Sequence, residues 1–179
     1  RYDPRWAALR IAGHALAGAF ASRLNLELRE RLGYTYGING CFSPGVTEGQ
    51  VAVGGSGRNE VAGDAVARLI EGLALAEPLT DAEVDDARRY LIGVAPLANE
   101  TSADIVAQAS SLAAAGLDPG YMGRHFEALA TVGADAATTA YRSAISPELC
   151  SVSVTGDAEV LVPQLEAIGL APKRIDLRA

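Results

Sequence analysis

Ala21-Ser22-Arg23-Leu24-Asn25-Leu26-Glu27-Leu28-Arg29-Glu30-Arg31-Leu32-Gly33-Tyr34-Thr35-Tyr36-Gly37-Ile38 is the stretch in which the period of the chain changes. Before Gly33 the apolar residues fall three or four apart, as on a helix with one buried face. After Gly33 they alternate, as on a strand packed on one side. The helical part ends in a charged turn whose basic residues suit the negative end of a helix dipole. Gly33 is then the stop, since glycine accepts the left-handed conformation that closes helices. Arg29 lies near the end of the helix and Tyr36 seven residues on, in the strand. A reversal at Gly33 lets the two converge. A guanidinium beside a phenol is a donor pair suited to a peptide carbonyl or a carboxylate. On the residues alone two readings stay open: that donor pair, or a surface arginine and a core tyrosine.

Upstream, Asp3-Pro4 reads as a helix start, with Asp as the cap and Pro in the first turn. Trp6, Leu9, Gly13, Leu16, Phe20, Leu24 and Leu28 continue one face, so the spacing predicts a single helix from Arg5 to about Arg31. Downstream, Tyr34, Tyr36, Ile38 and Phe42 are expected on one strand face. Ser43 to Gly49 is a turn cluster, and Gln50 to Gly54 returns as an antiparallel partner. Gly54-Gly55-Ser56-Gly57 lacks the spacing and the Lys-Ser/Thr of a phosphate loop, and reads as a strand-to-helix turn.

Five helical stretches are expected next. They run from about Asn59 to Ala76, from Asp81 to about Gly93 or Val94 behind a Thr80/Glu83 capping box, from Glu100 to about Ala115, from Asp118 to Ala130, and from about Ala134 to Ala144. Leu149 to Thr155 alternates and is expected as a strand. Asp157 caps a helix from Ala158 to Ile168, and Pro172 to Leu177 is expected as a terminal strand. The fold class is α+β, an antiparallel sheet with helices packed on one face.

The 179 residues carry 22 acidic and 15 basic side chains, a formal charge of −7. That balance argues against non-specific nucleic-acid binding, which needs positive surface to displace counterions. No apolar run reaches the roughly 18 residues of a membrane span. No signal peptide is legible, and the compartment is not readable between cytoplasm and periplasm. Cys41 and Cys150 are too few for a disulfide framework and are expected as buried thiols, their pairing left open. His14 and His125 are expected as structural histidines, since neither HxxEH nor HExxH occurs. Glu83, Asp85 and Asp86 read as a solvated acidic face. Asn99-Glu100-Thr101 matches a glycosylation sequon, which means nothing outside a eukaryotic secretory context.

The order and spacing of several pieces resemble the inactive, C-terminal domain of the pitrilysin-type zinc metallopeptidases, the family of insulin-degrading enzyme and the mitochondrial processing peptidase. Those pieces are Ser22-Arg23-Leu24, Leu28-Arg29-Glu30-Arg31-Leu32-Gly33 and Tyr34-Thr35-Tyr36. They continue with Leu79-Thr80-Asp81-Ala82-Glu83-Val84, Ala87 to Gly93, Asn99-Glu100-Thr101 and Val152-Ser153-Val154-Thr155-Gly156-Asp157. The resemblance implies a half-domain of the pitrilysin/LuxS-like type over residues 1–179, cut from a longer chain and lacking its first strand.

It further implies that two related halves close around a peptide substrate. Zinc is held by an HxxEH-bearing half or partner subunit, and no metal by this segment. Arg29 and Tyr36 match the family's substrate-contacting pair: Tyr36 would hydrogen-bond near the scissile carbonyl and Arg29 would hold the peptide backbone. Tyr34, close by, is the decoy. The segment is expected to be inactive alone, to meet no nucleic acid or membrane, and to act as the substrate-binding half. The rivals are a degenerate structural or assembly subunit of the same fold, and a small-molecule-binding module that shares it.

Overall fold

The computed structural model describes residues 1–45 and 48–175. Helix α1 (Trp6–Gly13) runs on through a wider π-helical turn, His14–Gly18. Helix α2 (Arg23–Asn25) likewise continues as a π-helical turn, Leu26–Arg31. Strands β1 (Thr35–Ser43) and β2 (Gln50–Gly57) form an antiparallel hairpin. A 3-10 turn at Asn59–Val61 leads into α3 (Ala62–Leu73). Then come α4 (Asp81–Gly93), α5 (Ser102–Ala114), α6 (Tyr121–Thr131), α7 (Ala134–Ala144) and α8 (Ala158–Ala167).

The single helix expected over Arg5–Arg31 is two, broken where Ala19 and Ser22 adopt extended backbone. The cause is tertiary. Asn25, buried at 3% exposure, turns its amide into the break. Its Nδ2 donates to the carbonyls of Ala19 (2.9 Å) and Ile38 (2.8 Å) and contacts Ser22 Oγ at 3.2 Å. Its Oδ1 accepts the Ile38 N–H at 2.7 Å. One side chain thus ties the kink to β1. The break also lifts Phe20 off the expected apolar face, leaving it 77% exposed.

Helix α1 is the hub of the core. Ile11 and Leu16 on its inner face are buried with Leu28, Val84, Leu129 and Tyr141, drawn from α2, α4, α6 and α7. The Tyr141 hydroxyl donates to the Leu73 carbonyl at 3.0 Å, and burial pushes its pKa well up. Ile38 and Phe42 of β1 close the other side, so the helices cover one face of the hairpin.

Two motif fragments far apart in sequence meet beside this core. The capping box is present, with Thr80 accepting the Glu83 N–H. Glu83 is not on a solvated face: Arg23 Nε and Nη2 bind its two oxygens at 2.8 and 2.7 Å. The same guanidinium donates to the carbonyls of Glu77 (2.7 Å) and Pro78 (2.9 Å). Burial pulls the Glu83 carboxyl up, but the bonds from Arg23 and Thr80 outweigh it and hold it below the usual range. Asp85 and Asp86 pair with Arg88 and Arg89 along their own helix.

Four further expectations are corrected. Leu149–Thr155 forms no strand: Pro147–Leu149 is a 3-10 turn, and the exposed residues 150–155 after it have no ladder partner among the described residues. Residues 172–175 are likewise outside any strand, and Asp176 and Leu177 lie outside the described residues, as do Val46 and Thr47 of the turn cluster. Gly54 to Gly57 is not a strand-to-helix turn but the end of β2, paired with β1. Gly55 suits that place, because a Cβ there would stand 2.6 Å from the Gly37 carbonyl oxygen. Cys41 and Cys150 are free and exposed, not buried. Cys41 lies on the outer face of β1 with Asn39 and Ser43, and Cys150 opens the unpaired segment.

Candidate functional site

The reversal at Gly33 forms as expected. Gly33 has φ +63°, the Gly33 N–H returns to the Arg29 carbonyl (3.2 Å) and the Tyr34 N–H to the Leu28 carbonyl (2.9 Å). The chain leaves the helix end and enters β1 with almost no loop, so Arg29 and the first strand residues belong to one rigid corner.

Inside that corner the strand does not alternate as expected. Thr35 pairs with Gly57 but Ile38 with Gly55, so three steps on β1 face two on β2. This is a β-bulge, one extra residue that bends the strand and re-aims a side chain. The Thr35 hydroxyl donates to the Ser56 carbonyl (2.6 Å) and accepts the Gly37 N–H (3.0 Å), holding the extra residue in place. Ile38 and Phe42 face inward as expected, while Tyr36 does not share their face. It stands 99% exposed. The core reading of Tyr36 is therefore wrong, and its hydroxyl has no partner among the described residues. Tyr34 differs: its hydroxyl donates to Asp64 Oδ2 at 2.8 Å, and that bond raises its pKa.

Arg29 is not a plain surface charge either. Only 11% of its side chain is exposed. Nε and Nη2 bind Glu30 Oε1 at 2.8 and 2.7 Å. The Phe20 ring lies against its guanidinium carbon, 3.2 Å from ring centroid to Cζ. Nη1 is buried and has no hydrogen-bond partner among the described residues. No hydrogen bond joins Arg29 to Tyr36: the two flank one corner without touching through polar atoms. Sequence reasoning missed Asn25 and Phe20. Asn25 left one signal, an amide inside a helix between the apolar Leu24 and Leu28.

The remaining reactive groups are engaged elsewhere. His14 stacks on Tyr90 with centroids 4.5 Å apart. Its Nε2 is buried without a partner, and burial, then Arg10, lowers its pKa. His125 contacts Arg10. Among the described residues no group of three or more His, Cys, Asp or Glu side chains comes together to hold a metal. The donor set does not fit a zinc site of three protein ligands. Among the described residues no helix is long and apolar enough to cross a membrane.

The family model described as the peptidase M16 inactive domain matches residues 1–91. Among solved structures, the chain is similar to a peptidase M16 inactive domain from Pseudomonas fluorescens, at 26% identity and a TM-score of 0.73. The match covers 81% of this chain and 35% of that one. Its fold is also similar to the inactive peptidase domain of a protein assigned as a zinc protease in Bordetella parapertussis, at 18% identity and a TM-score of 0.70, covering 79% and 78% of the two chains. A protein with the same assignment from Bordetella pertussis Tohama I gives 18% and 0.66, covering 79% of each chain. No curated protein matches the chain.

Proposed function

The chain belongs to the peptidase M16 inactive-domain family, and from that premise we propose that it is the substrate-binding, non-catalytic half of a zinc-dependent metalloendopeptidase. In this reading residues 1–179 form one half-domain, and an HxxEH-bearing half or subunit holds the zinc. A peptide lies in the chamber between the halves.

The observation that carries the reading is Tyr36: a fully exposed phenol, on a strand bulge, with no partner among the described residues. Exposing a large aromatic side chain on a rigid strand forgoes the roughly 1.5–3 kcal/mol that burying it would return. The strand bends to do this. What the exposure supplies is an O–H donor on a fixed backbone. Tyr36 would donate to the carbonyl oxygen at the scissile bond, and the bond would strengthen as that oxygen gains charge. Arg29 would hold the peptide backbone through Nη1, the guanidinium nitrogen without a partner among the described residues, once the exposed Phe20 ring lifts from it.

The test is peptide cleavage by the assembled enzyme, with Tyr36 replaced by Phe. Loss of a donor to a developing oxyanion lowers kcat by roughly 100-fold or more. The substitution removes no contact within this chain, so the melting temperature should stay where it was. Undiminished turnover would sink the substrate-binding role and leave the chain as an assembly subunit. Cleavage by the isolated chain would sink the division of roles.

A further inference from the structure

Helix α1 carries a guanidinium that the described chain leaves without a counter-charge. Arg10 lies half-buried in its last turn. Arg5, Arg23 and Arg124 each hold a carboxylate, whereas among the described residues none pairs with Arg10. Its polar contact is Nη1 to Nε2 of His125, at 2.9 Å. A guanidinium only donates, so His125 Nε2 accepts and the ring proton sits on Nδ1. The ring is neutral. Burial first, then Arg10, lowers its pKa to about 4. Tyr121 stacks on the same ring, 5.7 Å between centroids and 6° from parallel. The arginine is therefore positioned without being neutralised.

Arg10 faces a cavity of about 350 Å3 between α1, the far end of β1, α5 and α6. Arg1 adds a second guanidinium, steadied by Ser111 Oγ at 3.1 Å. Trp6, Phe42 and Met122 give the cavity an apolar wall, and among the described residues no acidic side chain lines it. An inorganic anion would satisfy the arginines and leave the apolar wall uncovered. A purely apolar ligand would cover the wall and leave the charge unpaired. The volume is at the small end of ligand sites, enough for something the size of one amino-acid residue.

We infer that this cavity binds an organic carboxylate with an apolar or aromatic body, the carboxylate on Arg10 and the body against Trp6, Phe42 and Met122. The planar guanidinium fork matches a carboxylate with two parallel bonds. That chemistry is offered both by the C-terminal residue of a peptide and by a free aryl or alkyl acid. Tyr36 does not line this cavity, so the inference stands or falls apart from the proposed function.

Calorimetric titration of the 179-residue chain with N-acetyl-phenylalanine tests it. The acid should bind with a Kd of about 1 mM or tighter, with N-acetyl-phenylalaninamide and inorganic phosphate about tenfold weaker or worse. Arg10→Gln should weaken the acid by about tenfold or more. Arg10 also props His125, so Gln108→Glu is the second variant: it places a negative charge on the cavity wall and leaves α1 intact. It should weaken the acid comparably. Equal binding of acid and amide would overturn the inference, as would phosphate binding as tightly as the acid. No binding up to about 10 mM would overturn it outright. A tetrapeptide ending in a free phenylalanine, titrated against 3-phenylpropanoate, separates the sources: the tighter of the two names the natural class.

Discussion

Replacing Asn25 by Ala should be among the most damaging single changes available to this chain. The side chain is buried and engages the kink and the strand at once, through Ala19, Ser22 and both backbone groups of Ile38. An alanine cannot replace any of these bonds. A buried backbone group left without a partner costs about 1–3 kcal/mol, against a net of about 0.5–1.5 kcal/mol for an ordinary hydrogen bond. The Ile38 N–H and carbonyl are the groups stranded, since Ala19 lies nearer the surface. The expected loss is about 3 kcal/mol, or roughly 6–12 °C in Tm for a chain of this size. Urea unfolding followed by circular dichroism reads it directly.

Asn25→Asp supplies a second arm with a definite sign. The carboxylate keeps the acceptor for the Ile38 N–H but turns an oxygen toward the carbonyls of Ile38 and Ala19. Burial and those dipoles raise the folded pKa above the unfolded value near 3.9. The folded state then holds a proton that the unfolded state has released. Stability of the variant is fullest below about pH 4 and falls as pH rises, until the folded group ionises too. A loss under about 1 kcal/mol for Asn25→Ala, or an Asp variant that gains stability with pH, would refute the role given to Asn25.

Arg23→Ala should cost about 1 kcal/mol or more, because it unpairs the half-buried Glu83 and removes the bonds to the exposed Glu77 and Pro78 carbonyls; Glu83→Gln keeps the cap and should cost less in the same urea assay. Gly33→Ala should cost about 1 kcal/mol from backbone strain alone, since a Cβ at Gly33 would meet nothing within 4 Å; a neutral result would refute the positive φ. His125, held neutral with its pKa lowered to about 4, should make the chain lose stability as pH falls from about 6.5 toward 4. The unfolded chain takes up the proton first, so the drop is on the order of 2 kcal/mol, and it should flatten in His125→Gln.

The parts legible in the sequence are those written in local chemistry. The Thr80/Glu83 box places the start of α4, Gly33 places the end of α2, and Ala134–Ala144 comes out with both ends as read. The hairpin is legible because both strands and the turn signal lie within about 25 residues. The misplaced elements depend on a distant partner. The break at Ala19 exists because Asn25 finds Ile38 across the corner, which helical spacing cannot report. Leu149–Thr155 alternates like a strand, but a strand is a pairing, and here no ladder among the described residues meets it. Cys41 was readable after all, since alternation about Ile38 and Phe42 puts it on the outer face. Tyr36 was not, because the bulge between Thr35 and Ile38 breaks the count that placed it inward. For the candidate site, the positions of Arg29 and Tyr36 came from the chain, while the exposure of one and the enclosure of the other came from Thr35, Phe20 and Glu30.

The bulge makes the orientation of Tyr36 a matter of odd and even. Point substitutions along β1 can change what the strand offers, but they leave the number of residues between Thr35 and Ile38 unchanged. Inserting one residue opposite the bulge, between Gly55 and Gly57 of β2, would restore strict two-residue alternation and swing Tyr36 to the side occupied by Ile38. The accessible tyrosine is thus protected against gradual drift and vulnerable to a single in-frame codon gain in the facing strand. Variation among related chains at this corner should therefore appear as exchanged side chains at constant length.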